Sequence, residues 1–439
     1  MKLSRPWACA LSLVLWALAP LASAEESADA WTRFRGPDGA GISDGASLPA
    51  KWTDADVRWK VALPGVGHSS PVVWGERVFA TCADEQSGTR TVLCLSASDG
   101  SVRWKRDYPA AAYRHHGENS YASSTPAADA GHVYVCLMSP EALKVVALDH
   151  DGKDAWSADL GPFVTEHGGG HSPIILDDMV IVANDQNGPG SCVVALDRKT
   201  GSQKWKTPRR SHRFSASTPC VYRPRDGGPA QLVVTSWAHG ITGLDPANGL
   251  VLWELPEAFD ARTVASPVAA NEAGLVLASC GEGPGGHWLL AVRPASGGAV
   301  PEVAYKITRN TPYVPTPLVR GNRLFYWSDG GTVTCAKADT GETVWQEKVG
   351  GSFFGSPVCA GDTLYCVSKR GEVIAVAAAD EFKLLGKTDL GEKSDATPAV
   401  AGGRMYLRTY GHLICVGGDG PSPGGAPGEA IRGGAKSSK

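Results

Sequence analysis

The sequence predicts an all-β protein: an eight-bladed β-propeller with four-stranded antiparallel blades, its ring closed by the N-terminal strand. Three observations lead to that fold. Eight Ser-Pro or Thr-Pro dipeptides open short apolar runs at propeller-like intervals, a tryptophan follows a turn glycine at a fixed distance, and the two ends of the repeat array complement each other. Composition agrees, since 43% hydrophobic and 20% charged residues describe a globular chain, and 53 Gly with 30 Pro among 439 residues supply many turns.

The eight dipeptides are Ser70-Pro71, Thr125-Pro126, Ser172-Pro173, Thr218-Pro219, Ser266-Pro267, Thr316-Pro317, Ser356-Pro357 and Thr397-Pro398. Successive prolines lie 55, 47, 46, 48, 50, 40 and 41 residues apart. Each dipeptide opens a run such as PVVW or PLVRGNRLFYW, in which β-branched and aromatic stretches flank a tight turn, the pattern of a hairpin. A third stretch follows (KVVALD, CVVALD, GITGLD, GEVIAV), then a turn of the form D-x-x-x-G or D-G. In five units a tryptophan arrives four residues after the glycine: Gly100 to Trp104, Gly152 to Trp156, Gly201 to Trp205, Gly249 to Trp253 and Gly341 to Trp345. The glycine supplies the positive φ of the turn, and the indole is large enough to wedge between neighbouring sheets. Tyr305 stands where the fifth unit would carry this tryptophan, and Leu385 or one of its neighbours where the seventh would, so those two interfaces are expected to be looser.

The eighth unit shows three strands ending near Val416 and has no tryptophan strand of its own. Val57-Arg58-Trp59-Lys60-Val61 is a tryptophan strand with no preceding repeat, so it is expected to complete the last blade. Trp59 thus joins Trp104, Trp156, Trp205, Trp253 and Trp345 as blade anchors. The expected organisation is a signal peptide over residues 1–24, a preface over 25–56, the propeller over 57–416 and a disordered Gly/Pro/Ser tail over 417–439.

The leader has a basic start, an apolar run from about Ala8 to Ala19, and Ala22-Ser23-Ala24 as an A-x-A cleavage site before Glu25. That run falls short of the roughly 20 apolar residues that span a bilayer. Cys9 lies inside it, so no lipid-acceptor cysteine follows the cleavage point. The chain is expected to be exported, to the periplasm or beyond the cell, as a monomer without a membrane span. Net charge is −3, from 42 Lys plus Arg against 45 Asp plus Glu, and it becomes −5 without Lys2 and Arg5 of the leader. Such a balance gives no field for nucleic acid.

Ten cysteines follow the leader, most in apolar strand-like runs such as VYVCL and HLICV, where Cys serves as a small buried hydrophobe. An exported chain permits disulfides, and Cys82 with Cys94 and Cys359 with Cys366 flank hairpin turns as the pairs to test. No C-x-x-C or C-x-x-C-H occurs, which argues against covalent haem and thiolate zinc sites.

In a four-stranded blade, the segment leading into the first strand and the turn between strands two and three share one face, around the channel mouth. The leading segments carry His68; His115, His116, Glu118, Asn119 and Tyr121; Glu166, His167 and His171; His212 and Arg213; Arg262; Tyr313; Phe353 and Phe354; and Asp395. The second turns carry Asp185 and Gln186; Trp237 and His239; Glu282 and His287; Asp329; Lys369 and Arg370; and Tyr410 and His412. Nine of the 11 histidines fall in these two loop classes, whereas the opposite turns (WGER, DAGH, LDDM, RGNR, AGDT, AGGR) hold one. Exposed loops carry polar residues in any protein, but this bias to one face points to a polar funnel. Its ligand-binding candidates are His68, His115, His116, Glu118, Glu166, His167, His171, His212, Arg213, Trp237, His239, Glu282, Lys369, Arg370 and His412.

His115-His116-x-Glu118 and Glu166-His167-Gly-Gly-Gly-His171 combine imidazole with carboxylate, a donor set that suits zinc, copper or iron. Neither has the helical spacing of a zinc motif, so no metal site is assigned. The G-x-S-x-G strings at Gly41 to Gly45 and at Gly420 to Gly424 lie in the preface and in the proline-rich tail and make no strand-to-helix elbow, and there is no phosphate loop and no H-E-x-x-H, so no catalytic residue is assigned either.

The repeat, best kept from Asp197 to Trp205 as D-x-x-T-G-x-x-x-W, resembles the pyrroloquinoline-quinone (PQQ) type propeller repeat over about residues 57–416. Quinoprotein alcohol dehydrogenases and BamB-like scaffolds of outer-membrane protein assembly share that repeat. Trp31-Thr32-Arg33-Phe34-Arg35-Gly36-Pro37 resembles the opening of a group of exported bacterial propellers of unassigned function. The enzyme resemblance implies an aromatic platform, a vicinal cysteine pair and an acid, Asn and Asp holding calcium. This sequence has no adjacent cysteines and lacks the long insertions that roof the cofactor, and unlike BamB relatives it shows no lipid-acceptor cysteine. The reading is a non-catalytic, cofactor-free exported scaffold that binds a protein or other cell-envelope partner through its loop face. The alternative is a PQQ- and calcium-dependent dehydrogenase with a reduced site, in which Arg213, Trp237 and Glu282 would serve as cation clamp, stacking surface and calcium ligand.

Overall fold

The computed structural model describes residues 30–211, 213–283, 285–295 and 299–418. The expected leader, nearly all of the expected tail and His212 lie outside the described residues. Eight antiparallel four-stranded sheets form the ring, as the repeats predict. The first blade contains Val72–Trp74, Arg77–Ala83, Arg90–Ser96 and Val102–Tyr108, counted outward from the channel. Arg90–Ser96 is buried at every residue because sheets cover both of its faces, whereas Val102–Tyr108 is mostly exposed and charged. The last blade takes Ala399–Ala401, Arg404–Arg408 and His412–Gly417 from the C-terminal side and Val57–Ala62 from the N-terminal side, with Trp59 opposite Cys415. The ring is therefore closed by the N-terminal strand.

Two devices hold neighbouring blades together. At the outer edge, an indole N–H donates to a carbonyl of the next blade: Trp59 to Ala97 at 3.0 Å, Trp104 to His150 at 2.8 Å, Trp156 to Arg198 at 3.0 Å, Trp205 to Pro246 at 2.9 Å and Trp345 to Ala379 at 2.9 Å. The indole face also lies on the turn glycine of that next blade. A Cβ on Gly201 would sit 2.5 Å from the ring of Trp156, and Gly201 has φ +73°, so this position excludes a side chain twice over. The second device is at the channel, where the backbone N–H of one Ser-Pro or Thr-Pro residue donates to the hydroxyl of the next. Seven of the eight steps carry this bond, at 2.9–3.2 Å, from Ser70 to Thr125 around to Thr397 and back to Ser70.

The two interfaces expected to be looser are both compensated. The phenol of Tyr305 donates to Ala338 O at 2.7 Å, reaching the carbonyl that a tryptophan would reach. Between the seventh and eighth blades, Leu48, Ala50 and Trp52 of the preface pack with Leu385, Leu390 and Met405 in one core cluster. Trp253 departs in the other direction, for its indole donates to Gln231 Oε1 at 2.6 Å and Gln231 Nε2 passes the link on to Ala295 O at 3.0 Å.

The preface is part of the ring's interior. Ala30–Trp31 adds a fifth, antiparallel strand to the first blade, and Ile42–Ser43 adds a fifth, parallel strand to the seventh. Residues 31–41 cross the channel between them. Trp31, Arg33 and Arg35, at alternate positions, are buried and fold back on Gly36, Gly39 and Gly41, each at φ near +80°. A Cβ would lie 3.1 Å from the Trp31 ring at Gly36, and 2.6 and 2.8 Å from the Arg33 and Arg35 guanidinium nitrogens at Gly39 and Gly41.

All ten described cysteines are buried and free, in the role of small strand hydrophobes, and neither of the two pairs to test is bonded. Cys94 faces Phe79 in its ladder, and Cys82 is three residues beyond Phe79, so the two thiols point to opposite faces of the sheet. Cys359 faces Leu364, and Cys366 is a diagonal neighbour farther along the strand; their thiols donate separately to Gly361 O at 3.2 Å and Gly355 O at 3.3 Å.

Candidate functional site

At the loop face the channel opens as a cavity of about 530 Å³. All eight Ser-Pro and Thr-Pro hydroxyl residues line it, and Phe34 of the preface contributes to its floor. Seven of the eight hydroxyl oxygens, all but that of Thr218, accept a backbone N–H from the neighbouring blade, so these bonds fix the cavity wall at that level. Above it stand His68, His116, Glu118, His167 and Glu282, with Asn119, Phe214, Arg262, Tyr313, Phe354 and Asp395.

The wall groups act in coupled sets. His116, His167 and Phe214 form a stack, with ring centroids 5.3 Å apart at 10° for the first pair and 6.2 Å at 15° for the second. Arg262 Nη1 donates to His167 Nε2 at 2.6 Å, and Nη2 lies 3.8 Å from Glu282 and 4.0 Å from Glu166. Partial burial, then the Arg262 charge, lowers the pKa of His167, so the imidazole accepts that bond as a neutral ring. Across the cavity, Lys369 pairs with Glu118 and sits 3.8 Å over the Phe354 ring. The ammonium holds the Glu118 carboxyl below its ordinary range.

Asp395 differs from the other acids. Burial raises its pKa, Tyr410 donates to its Oδ2 at 2.6 Å, and its Oδ1 is buried without a hydrogen-bond partner. His68 Nε2 lies 3.8 Å from Oδ2, but burial, aided by Arg408 and Lys369, pushes the imidazole down to about 4. The contact is therefore not an ion pair at neutral pH. Asp329, with its carboxyl raised to about 6 by burial, accepts the N–H groups of Tyr313 at 2.7 Å and Val314 at 3.2 Å and so fixes the Tyr313 wall.

The other sequence candidates lie elsewhere. His115 pairs with Glu85 at 2.9 Å outside the cavity lining, while His171 is buried edge-on against Phe163 and Phe214, with its pKa lowered to about 4 by desolvation. His239 is held by Glu254 at 3.0 Å and His412 by Glu392 at 2.9 Å. Arg370 is exposed on the rim. The first cluster is thus divided, His115 going to Glu85 and Glu118 to Lys369, whereas Glu166 and His167 of the second stay 3.6 Å apart beside Arg262 and only His171 leaves them. Arg213 stacks on Trp237 at 4.9 Å away from the cavity, so the trio of Arg213, Trp237 and Glu282 does not converge. Phe34 and Phe214 were not singled out from the sequence; the preface motif was a signal for the first, and nothing local marked the second.

A calcium–quinone centre does not fit this donor set. Calcium takes six to eight oxygens at roughly 2.3–2.6 Å. Here Glu118 is neutralised by Lys369 and Glu282 by Arg262, which leaves Asp395 as the acid without a cation.

Comparison with known proteins is consistent with the ring geometry. No curated protein matches the chain. Among solved structures, BamB from Moraxella catarrhalis aligns at 15% identity and TM-score 0.56, covering 81% of this chain and 95% of that one. A quinohemoprotein alcohol dehydrogenase from Comamonas testosteroni aligns at 13% identity and TM-score 0.61, covering 92% and 83%. A computationally designed protein, Ika8, aligns at 11% identity and TM-score 0.60, covering 82% and 99%. At such identities the likeness is one of fold. Among the described residues no helix is long and apolar enough to cross a membrane. The family model for the outer membrane protein assembly factor BamB matches residues 89–308 and 285–416, about three quarters of the chain, and this PQQ-like β-propeller is a member of that family.

Proposed function

We propose that the protein is an exported, non-catalytic propeller scaffold whose loop face receives a protein partner in the cell envelope. The observation that carries this reading is the pairing of charges on the cavity wall, Lys369 with Glu118 and Arg262 with Glu282 and His167. Cation–carboxylate pairs on a rim, beside the half-buried rings of Tyr313 and Phe354, suit recognition of a polypeptide more than bond-making. Membership of the BamB family supports a partner of that class.

Site-specific photo-crosslinking in the producing cell tests the reading. Probes at Val164 and Arg370, exposed on the loop face, are expected to give discrete protein adducts, whereas probes at Glu76 and Asp362, exposed on opposite-face turns, give none. Equal labelling from both faces, or none from either, overturns it. So does stoichiometric binding of PQQ with calcium accompanied by dye reduction with alcohols, which would establish the dehydrogenase instead.

A further inference from the structure

We propose a metal site outside the cavity, on the fifth blade, in which Asp260, Cys280 and His287 hold one zinc-class divalent cation. It is independent of the partner-binding reading. Three segments bring the ligands together: Asp260 lies in the loop before the blade, Cys280 on Leu275–Glu282 and His287 on Gly285–Arg293. Their donor atoms all lie within 4.8 Å of one another. His287 Nδ1 is 3.0 Å from Asp260 Oδ1, and Cys280 Sγ is 3.8 Å from the same oxygen. Zinc bonds of roughly 2.0–2.3 Å to nitrogen, oxygen and sulfur place tetrahedral ligands about 3.3–3.6 Å apart, so small side-chain shifts complete the site.

Two features indicate that this convergence is built in. Cys280 pairs with Trp288 and Gly281 with Gly286, so His287 is the extra residue of a β-bulge. A bulge re-aims a side chain, here turning the imidazole toward Asp260 and Cys280. The Asp260 loop is pinned on both sides as well, by the Trp288 indole donating to Ala258 O at 2.9 Å and by Gly281 N–H donating to Arg262 O at 3.0 Å.

One thiolate, one imidazole and one carboxylate form a borderline donor set that suits Zn²⁺. Cys280 is fully buried while the Asp260 and His287 side chains are 56% and 38% exposed, so the fourth position faces solvent. Binding replaces the thiol proton with the metal and releases that proton to solvent.

Cobalt titration of the exported chain, purified without a histidine tag, tests the site. One equivalent of Co²⁺ is expected to produce a thiolate-to-cobalt charge-transfer band and strong four-coordinate visible bands, both abolished by added Zn²⁺. His287→Gln and Asp260→Asn, at exposed positions, should each weaken uptake by more than the roughly 10- to 100-fold cost of losing an outer-shell partner. Cys280→Ser should remove the charge-transfer band. His412→Gln, which alters another histidine–carboxylate pair on the same face, should leave titration unchanged. Absence of stoichiometric uptake by the unaltered chain, or a band that survives in circular-dichroism-verified folded His287→Gln, overturns the proposal. If Cys280→Ser fails to fold, the His287 and Asp260 variants decide it.

Discussion

At the floor of the channel, Trp31, Arg33 and Arg35 are buried against glycines within ten residues of chain, and strand pairs fasten the segment to two blades. At the mouth, Glu118 meets Lys369 across 251 residues of sequence, and Arg262 meets His167 across 95. Packing and backbone geometry build the first region, whereas charges carried by otherwise independent blades build the second. Stability should therefore reside mainly in the floor and recognition mainly in the mouth.

The sharpest way to break that contrast is Trp31→Ala. The side chain is 1% exposed, so its loss should cost about 3–5 kcal/mol in denaturant unfolding. Loss below 1 kcal/mol would show that the preface is not structural.

His171 tests the layer beneath the mouth. Its folded pKa of about 4 lies below the ordinary 6.5, so the unfolded chain takes the proton first as pH falls. Its contribution is present above pH 6.5, is lost between 6.5 and 4, and amounts to on the order of 3 kcal/mol in full. Asp329 acts oppositely: its raised carboxyl binds a proton in the native state first, so its contribution is lost as pH rises from 3.8 toward 6. In His171→Phe, the slope of stability against pH from 4 to 6.5 should change by up to one proton, about 1.4 kcal/mol per pH unit. An unchanged slope would refute the assignment.

Smaller effects follow at each end. Gly41→Ala imposes a side chain at φ +80° with its Cβ 2.8 Å from the buried Arg35 guanidinium, and should cost about 1–2 kcal/mol by the same unfolding assay. Lys369→Gln should shift stability by less than about 1 kcal/mol, because the pair with Glu118 is solvent-exposed, while reducing crosslinks from Arg370. A large stability loss with unchanged crosslinking would reverse the roles given to floor and mouth.

Much of the fold was legible because its signals are short-range. The turn glycines and the tryptophans four residues later mark each outer strand, and the unmatched Trp59 announced ring closure. The departures in the fifth and seventh blades, at Tyr305 and at Gly386 beside Leu385, were legible as departures, but not their remedies, since the Ala338 carbonyl and the preface residues Leu48 to Trp52 come from elsewhere in the ring. The site was less legible. Loop class placed His68, His116, Glu118, His167 and Glu282 on the face where the cavity opens, yet it could not separate them from His115, His239 or His412, whose carboxylate partners hold them outside the lining. The Cys280 cluster was hidden for a different reason: its cysteine reads as a strand hydrophobe, and only the bulge shows where His287 points.

By itself the sequence determined the repeat, the blade count and the ring closure, because period-two burial, turn glycines and terminal complementarity act over a few residues and recur eight times. Tertiary structure alone decided that the preface floors the channel, that the hydroxyls of the Ser/Thr-Pro residues tie the blades together, and which acids meet which bases. Those outcomes depend on distances between blades, and such distances are set only once every sheet has packed against its neighbours.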